Sequence, residues 1–152
     1  MAGLPRGLYF DDFEAGAEFI SARRTITEAD IVSFAGLSGD FNPLHVDEEY
    51  GKTTPFKTRI AHGLLVTAIA TGLQNQMGVF EGTTLAVMDI SLKFTGPTFP
   101  GDTIYIKLKI AGKQETKKED RGLVFAELYA INHRGETVQE QKQTIMLARR
   151  PK

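Results

Sequence analysis

The chain has 152 residues, with 18 basic against 19 acidic side chains and a formal charge of −1. That length suits one domain over residues 1–152, able to bury roughly 70% of its unfolded surface, and so balanced a charge gives no footing for nucleic acid. Cysteine is absent, which excludes disulfides, thiolate metal sites and a cysteine nucleophile, and fits a reducing compartment.

Met1 to Phe10 lacks the basic start and long apolar stretch of a secretory signal. The longest apolar run, Ala61 to Leu73, is broken by His62, two threonines and glycines, and is short of the about 20 residues a bilayer needs. A soluble, cytoplasmic protein with no membrane partner is therefore expected. Glu18 to Thr25 reads as a short strand. Thr27-Glu28-Ala29-Asp30 reads as a helix start, with a hydroxyl N-cap and acidic residues in the first turn. Ile31, Phe34, Ala35 and Leu37 would supply its apolar stripe, ending at Gly36 to Gly39.

Ser38-Gly39-Asp40-Phe41-Asn42-Pro43-Leu44-His45-Val46-Asp47 follows. Pro43 fixes its own φ and disfavours the α region at Asn42, so Asp40 and His45 do not sit on one continuous helix. Asn42 is suited to closing a local turn through its own side chain. A compact loop of this kind aims a carboxylate and an imidazole into one cavity, as acid–base chemistry on a shared atom requires. Asp47 to Tyr50 begins another short helical turn, with Asp47 as its cap.

Gly63 to Gln76 is apolar almost all the way round, which predicts a buried helix wrapped by something large. After Gly78 the period changes to two. Leu85, Val87 and Asp89 alternate with Ala86, Met88 and Ile90, which places Asp89 on an otherwise apolar face. Ile104, Ile106, Leu108 and Ile110 mark a half-buried strand. Gly122 to Asn132 and Thr137 to Arg149 complete the set, with turns at Lys117 to Gly122 and Asn132 to Gly135. Four strands in sequence suggest an antiparallel meander, and with the buried helix an α+β architecture.

Three segments now carry a resemblance: Gly39 to Asp47, then Arg59-Ile60-Ala61-His62-Gly63-Leu64-Leu65, then Pro97-Thr98-Phe99-Pro100-Gly101-Asp102. In order and spacing they resemble the MaoC-like (R)-specific enoyl-CoA hydratases and dehydratases. The resemblance implies the hot-dog fold, an antiparallel sheet wrapped around a central helix. It implies reversible syn addition of water to a 2-enoyl thioester, with Asp40 and His45 as the catalytic pair and Asn42 and Pro43 shaping their loop. Gly63 matches the residue whose backbone N–H meets the thioester oxygen, and a glycine at a helix start suits that task. Thr71 falls where family members often carry a serine near the pair.

The same resemblance implies a lyase of fatty acid metabolism acting on acyl-CoA or an acyl carrier protein, with no metal or organic cofactor. It also implies a homodimer or higher assembly, which would cover a sheet edge left open by one unit. Two other readings stay open: a hot-dog acyl-CoA thioesterase, which has no need of the Asp40/His45 turn, and a non-catalytic acyl-thioester-binding module. His62 reads as structural. Lys57, Arg59 and Lys93 are basic residues available to CoA phosphates or simply to solvent. Phe41, Leu44, Phe56, Leu65 and Met88 are candidates for an acyl tunnel wall or for plain core.

Overall fold

A computed structural model describes residues 5–152. After a single 3-10 turn at Phe10–Asp12, two short strands follow, β1 (Glu18–Ile20) and β2 (Arg24–Thr25). The one strand expected at Glu18 to Thr25 is thus two, each paired antiparallel with β4. Helix α1 (Glu28–Ser38) opens on a reciprocal cap: Thr27 Oγ1 accepts the Asp30 N–H at 3.1 Å, and Asp30 Oδ2 accepts the Thr27 N–H at 2.9 Å. It closes at Gly39, whose left-handed φ of 77° suits glycine. Ile31 and Ala35 are buried as expected, whereas Leu37 faces solvent.

Two short helices come next, α2 (Pro43–Val46) and α3 (Glu48–Thr53), the latter capped by Asp47 as expected. Helix α4 (Gly63–Gln76) has the predicted bounds. The sheet is formed by β1, β2, β3 (Thr84–Phe94), β4 (Thr103–Glu115), β5 (Arg121–Asn132) and β6 (Thr137–Ala148). The strand order is β1-β4-β5-β6-β3. Only β4, β5 and β6 form a meander; β3 crosses over to pair with β6, where the alternation had suggested four consecutive neighbours.

Helix α4 lies over β4 on the inner face of the sheet. One hydrophobic cluster joins Leu65, Val66, Ile69, Ala70 and Leu73 of α4 to Ile104, Ile106, Leu108 and Ile110 of β4, and to Val124, Leu128, Ile145 and Leu147 of the next two strands. The helix is not wrapped all the way round. Leu64, Ala68, Thr71 and Asn75 form an exposed line down it, beside an inner face of β3 where Val87, Ile90 and Phe94 are also exposed.

A bulge between Val87 and Asp89 shifts the phase of β3. Val87 and Ile90 both pair with inner-face residues, Ile145 and Gln143. Asp89 instead lies opposite Thr144, on the polar outer face with Ser91 and Lys93. Its seeming place on an apolar face is corrected by that extra residue. No helix among the described residues is long and apolar enough to cross a membrane.

Candidate active site

The loop after α1 is closed by its own side chains. Asn42 caps α2, its Oδ1 accepting the Leu44 N–H at 3.0 Å, and Pro43 occupies the first helical position, where no N–H is missed. Asp40 Oδ1 accepts the Asn42 N–H at 3.2 Å, and Ser38 Oγ accepts the Asp40 N–H at 3.1 Å. This leaves Asp40 Oδ2 directed at His45 Nε2, 3.9 Å away. The spacing is too long for a direct hydrogen bond.

The strap from Arg59 to His62 sets the chemistry of His45. The Ile60 carbonyl lies 2.7 Å from His45 Nδ1. A carbonyl only accepts, so Nδ1 carries a proton, and the tautomer this selects is the one whose Nε2 lone pair faces Asp40. The same strap is tied down twice more: the Ile60 N–H donates to the Leu44 carbonyl at 3.2 Å, and the Ala61 N–H to the Thr98 carbonyl at 2.7 Å. Asp102 secures the turn that presents Thr98. It accepts from the Phe99 N–H at 3.0 Å and takes Arg134 in a two-pronged pair at 2.9 and 3.1 Å. Burial alone would push the Asp102 carboxyl up; the Arg134 hydrogen bonds and charge more than offset that and hold it below the ordinary range.

His62 is buried at 2% exposure. Its Nε2–H donates to the Asp40 carbonyl at 2.9 Å, and its ring stacks on His45 with centroids 3.9 Å apart. Phe34 of α1 packs on the same ring at 4.9 Å. His62 therefore fixes both the Asp40 main chain and the His45 ring, a more specific duty than a residue that merely precedes a helix. Donor atoms of Asp40, His45 and His62 lie within 4.8 Å of one another. One nitrogen of each ring is already engaged, His45 Nδ1 by the Ile60 carbonyl and His62 Nε2 by the Asp40 carbonyl.

Immediately after His62, α4 begins. The Leu65 and Val66 N–H groups reach back to the His62 carbonyl, at 3.1 and 3.3 Å. The N–H groups of Gly63 and Leu64 have no acceptor among the described residues, as expected for the first turn of a helix. These free donors and the Asp40/His45 pair open on one cavity of about 620 Å³. Its other walls include Phe34, Phe56, Val66, Phe94, Val138 and Gln139.

Asp40, His45 and Gly63 thus meet in one place. Asn42 acts on the loop backbone and does not line the cavity. Thr71 is not brought to it: two turns along α4, its hydroxyl donates to the Thr67 carbonyl at 3.0 Å, and it lines a separate cleft with Gln74 and Gln143. Of the residues considered for a tunnel wall, Phe56 lines the cavity; Leu65 is core, and Phe41 and Met88 are exposed. Arg59 is engaged by Glu48 at 2.8 Å and by Glu28, which joins α1 to α3 and leaves it no free charge for a ligand. Gln139 escaped the sequence reading, although the run Gln139, Gln141, Gln143 is a visible signal: amides at every second residue of a strand whose inner face should be apolar.

The family described as MaoC like domain matches residues 12–128. A relative called (R)-specific enoyl-CoA hydratase, from Rhodospirillum rubrum, is 41% identical over 110 residues, covering 72% of this chain and 74% of that protein. A 3-hydroxybutyryl-CoA dehydratase of Methylorubrum extorquens is 35% identical over 106 residues, covering 70% of this chain and 66% of that protein. Among solved structures, an Archaeoglobus fulgidus protein described as a monoamine oxidase regulatory protein superposes with a TM-score of 0.90 at 34% identity, covering 99% of this chain and 100% of that one. A Mycobacterium tuberculosis protein described as a double hotdog fold superposes at 0.83 with 22% identity, over 95% of this chain and 45% of that one, a likeness of fold alone. The chain belongs to the MaoC-like domain family and has its hot-dog fold.

Proposed function

We propose that this protein is a lyase that adds water reversibly to a 2-enoyl-CoA, giving the (R)-3-hydroxyacyl-CoA. The observation that carries the reading is the 3.9 Å gap between Asp40 Oδ2 and His45 Nε2. One water oxygen placed about 2.8 Å from each satisfies both groups at once. As that oxygen bonds to C3, the pair takes a proton from it, and charge moves through the double bond onto the thioester oxygen. The pair then returns a proton to C2, so the elements of one water are added and nothing is left over. The thioester oxygen is received by the N–H groups at the start of α4, Gly63 foremost, with the positive end of the helix behind them. Relatives named as hydratase and dehydratase support both directions of the reaction.

The substrate carrier is CoA or an acyl carrier protein, the setting is cytoplasmic, and no metal or organic cofactor takes part. The active unit is a homodimer, supported by β3: an edge strand unpaired on one side with Leu85, Val87, Met88, Ile90 and Phe94 exposed.

Hydration removes the conjugated enoyl absorbance of crotonyl-CoA and is followed in the ultraviolet. Asp40→Asn and His45→Gln are expected to lower kcat at least a thousandfold while the far-ultraviolet circular dichroism stays unchanged. Full activity in either variant would overturn the assignment. Release of free thiol by the wild type would favour a thioesterase, and tight acyl-CoA binding with no turnover a binding module.

A further inference from the structure

Four glutamines line up in the interior between α4 and β6. Gln139, Gln141 and Gln143 occupy alternate inner-face positions of β6 at 1, 2 and 6% exposure, and Gln74 of α4 joins them at 9%. Their amides form one continuous chain. Gln74 and Gln143 exchange two hydrogen bonds, at 3.0 and 3.1 Å. Gln143 Nε2 then donates to Gln141 Oε1 at 2.9 Å, and Gln141 Nε2 to Gln139 Oε1 at 2.8 Å. Gln139 Nε2 ends the chain on the Gly63 carbonyl at 3.1 Å.

The direction of this chain is not free. The Gly63 carbonyl can only accept, so Gln139 must turn its NH₂ toward it and its oxygen toward Gln141. That choice forces the orientation of Gln141, and then of Gln143. Thr67 closes the bracket from the helix side, its hydroxyl lying 3.1 Å from both the Gly63 carbonyl and Gln139 Oε1. Aligned amides in a dry interior polarise one another, and the positive end of this row meets the peptide that joins Gly63 to Leu64. The N–H of that peptide belongs to Leu64; its neighbour is the N–H of Gly63.

Burying four amides, three on the inner sheet face and one on α4, costs desolvation that leucines in the same positions would not. The expense falls where the thioester oxygen is to be received. We infer that Gln139 is a positioning residue for the hydration reaction: with Thr67 it clamps the Gly63 carbonyl and so holds the first-turn N–H donors of α4 at the substrate oxygen. The inference rests on the assignment of Gly63 as that donor. It gives Gln139 no direct part in the chemistry, and predicts that its loss weakens polarisation of the thioester carbonyl and slows turnover far more than it loosens substrate binding.

The test uses the full-length protein carrying Gln139→Leu, Gln139→Glu or Thr67→Val. Thr67→Val keeps shape and helix surface, so it stays informative if substitution of Gln139 impairs folding. In each folded variant, kcat on crotonyl-CoA falls about ten- to a hundredfold, as a small displacement of an oxyanion donor allows, while KM stays within about twofold. In an inactive His45→Gln background, ¹³C-labelled crotonyl-CoA shows a thioester carbonyl stretch lowered on binding, and adding Gln139→Leu or Thr67→Val moves it back toward the free value. Folded variants with wild-type kcat and an unmoved carbonyl stretch would make the amide chain purely structural and overturn the inference. A carbonyl band that does not shift on binding to His45→Gln alone overturns the Gly63 assignment itself. A wild type inert toward enoyl-CoA overturns the hydratase reading.

Discussion

Gly63 is small for two reasons. It leaves room for a ligand near its N–H, and a Cβ there would lie 2.5 Å from Cε1 of Phe94, another wall of the same cavity. A methyl group there has to displace the ring, and overpacking of this sort costs about 1–3 kcal/mol. Phe94 is more than half exposed and able to swing away, so the low end applies. Alanine also recovers about 0.5–1 kcal/mol of helix propensity over glycine. Gly63→Ala is therefore expected to destabilise by at most about 0.5 kcal/mol in urea unfolding, and to stabilise by about 0.5–1 kcal/mol in a Phe94→Ala background. An equal cost in both backgrounds would show that the ring is not the obstacle. Thr71 and His62 mark the limits of reading single residues: neither the cleft that Thr71 lines nor the ring on which His62 stacks is coded by neighbours in the chain.

Elements were legible to the extent that their signals are local. The Thr27/Asp30 cap, the Asp47 cap, the full length of α4 and the alternating core of β4 all follow from patterns within a few residues. The position of β3 beside β6 did not, because alternation tells which face a side chain takes and not which strand lies next to it. The bulge at Val87/Asp89 then reversed the face assigned to Asp89. The third motif, Pro97 to Asp102, has a mechanical role: Asp102 is the buried pin that ties the turn holding the Ile60 strap to the β5–β6 hairpin through Arg134. Its carboxyl titrates below the ordinary range, so its contribution is fully present above the unfolded value of about 3.9 and is lost as pH falls through the lower folded value. Asp102→Asn is expected to cost about 2 kcal/mol at neutral pH, modest because Arg134 is partly solvated. It should also flatten the decline of stability below pH 4. A variant whose acid unfolding curve runs parallel to that of the wild type would remove Asp102 from this role.

At the scale of the molecule, one side of the sheet remains unfinished. Thr71 and Asn75 of the exposed line on α4, with Val87 and Ile90 on the inner face of β3, bound a cleft of about 510 Å³. In the proposed dimer, a second copy of the chain paired along β3 is expected to cover these surfaces. Sedimentation of the wild type is expected at twice the mass of one chain. Ile90→Lys places a charge on that inner face and is expected to yield monomers with at least a tenfold loss of hydratase activity. A wild-type monomer with full turnover would refute the dimer as the active unit.

The two halves of the site differ in how far apart their parts lie along the chain. Asp40 and His45 are near neighbours, joined by a loop that closes on itself, whereas the bond between Gln139 and Gly63 spans 76 positions. Closing so long a loop is slower and entropically dearer than forming a local turn. In a growing or refolding chain the Asp40–His45 loop is thus expected to close first, and the proposed oxyanion donors to be clamped only when the last strand docks. Catalytic competence arrives with β6, which makes turnover a report on completion of the sheet rather than on formation of the loop that names the family.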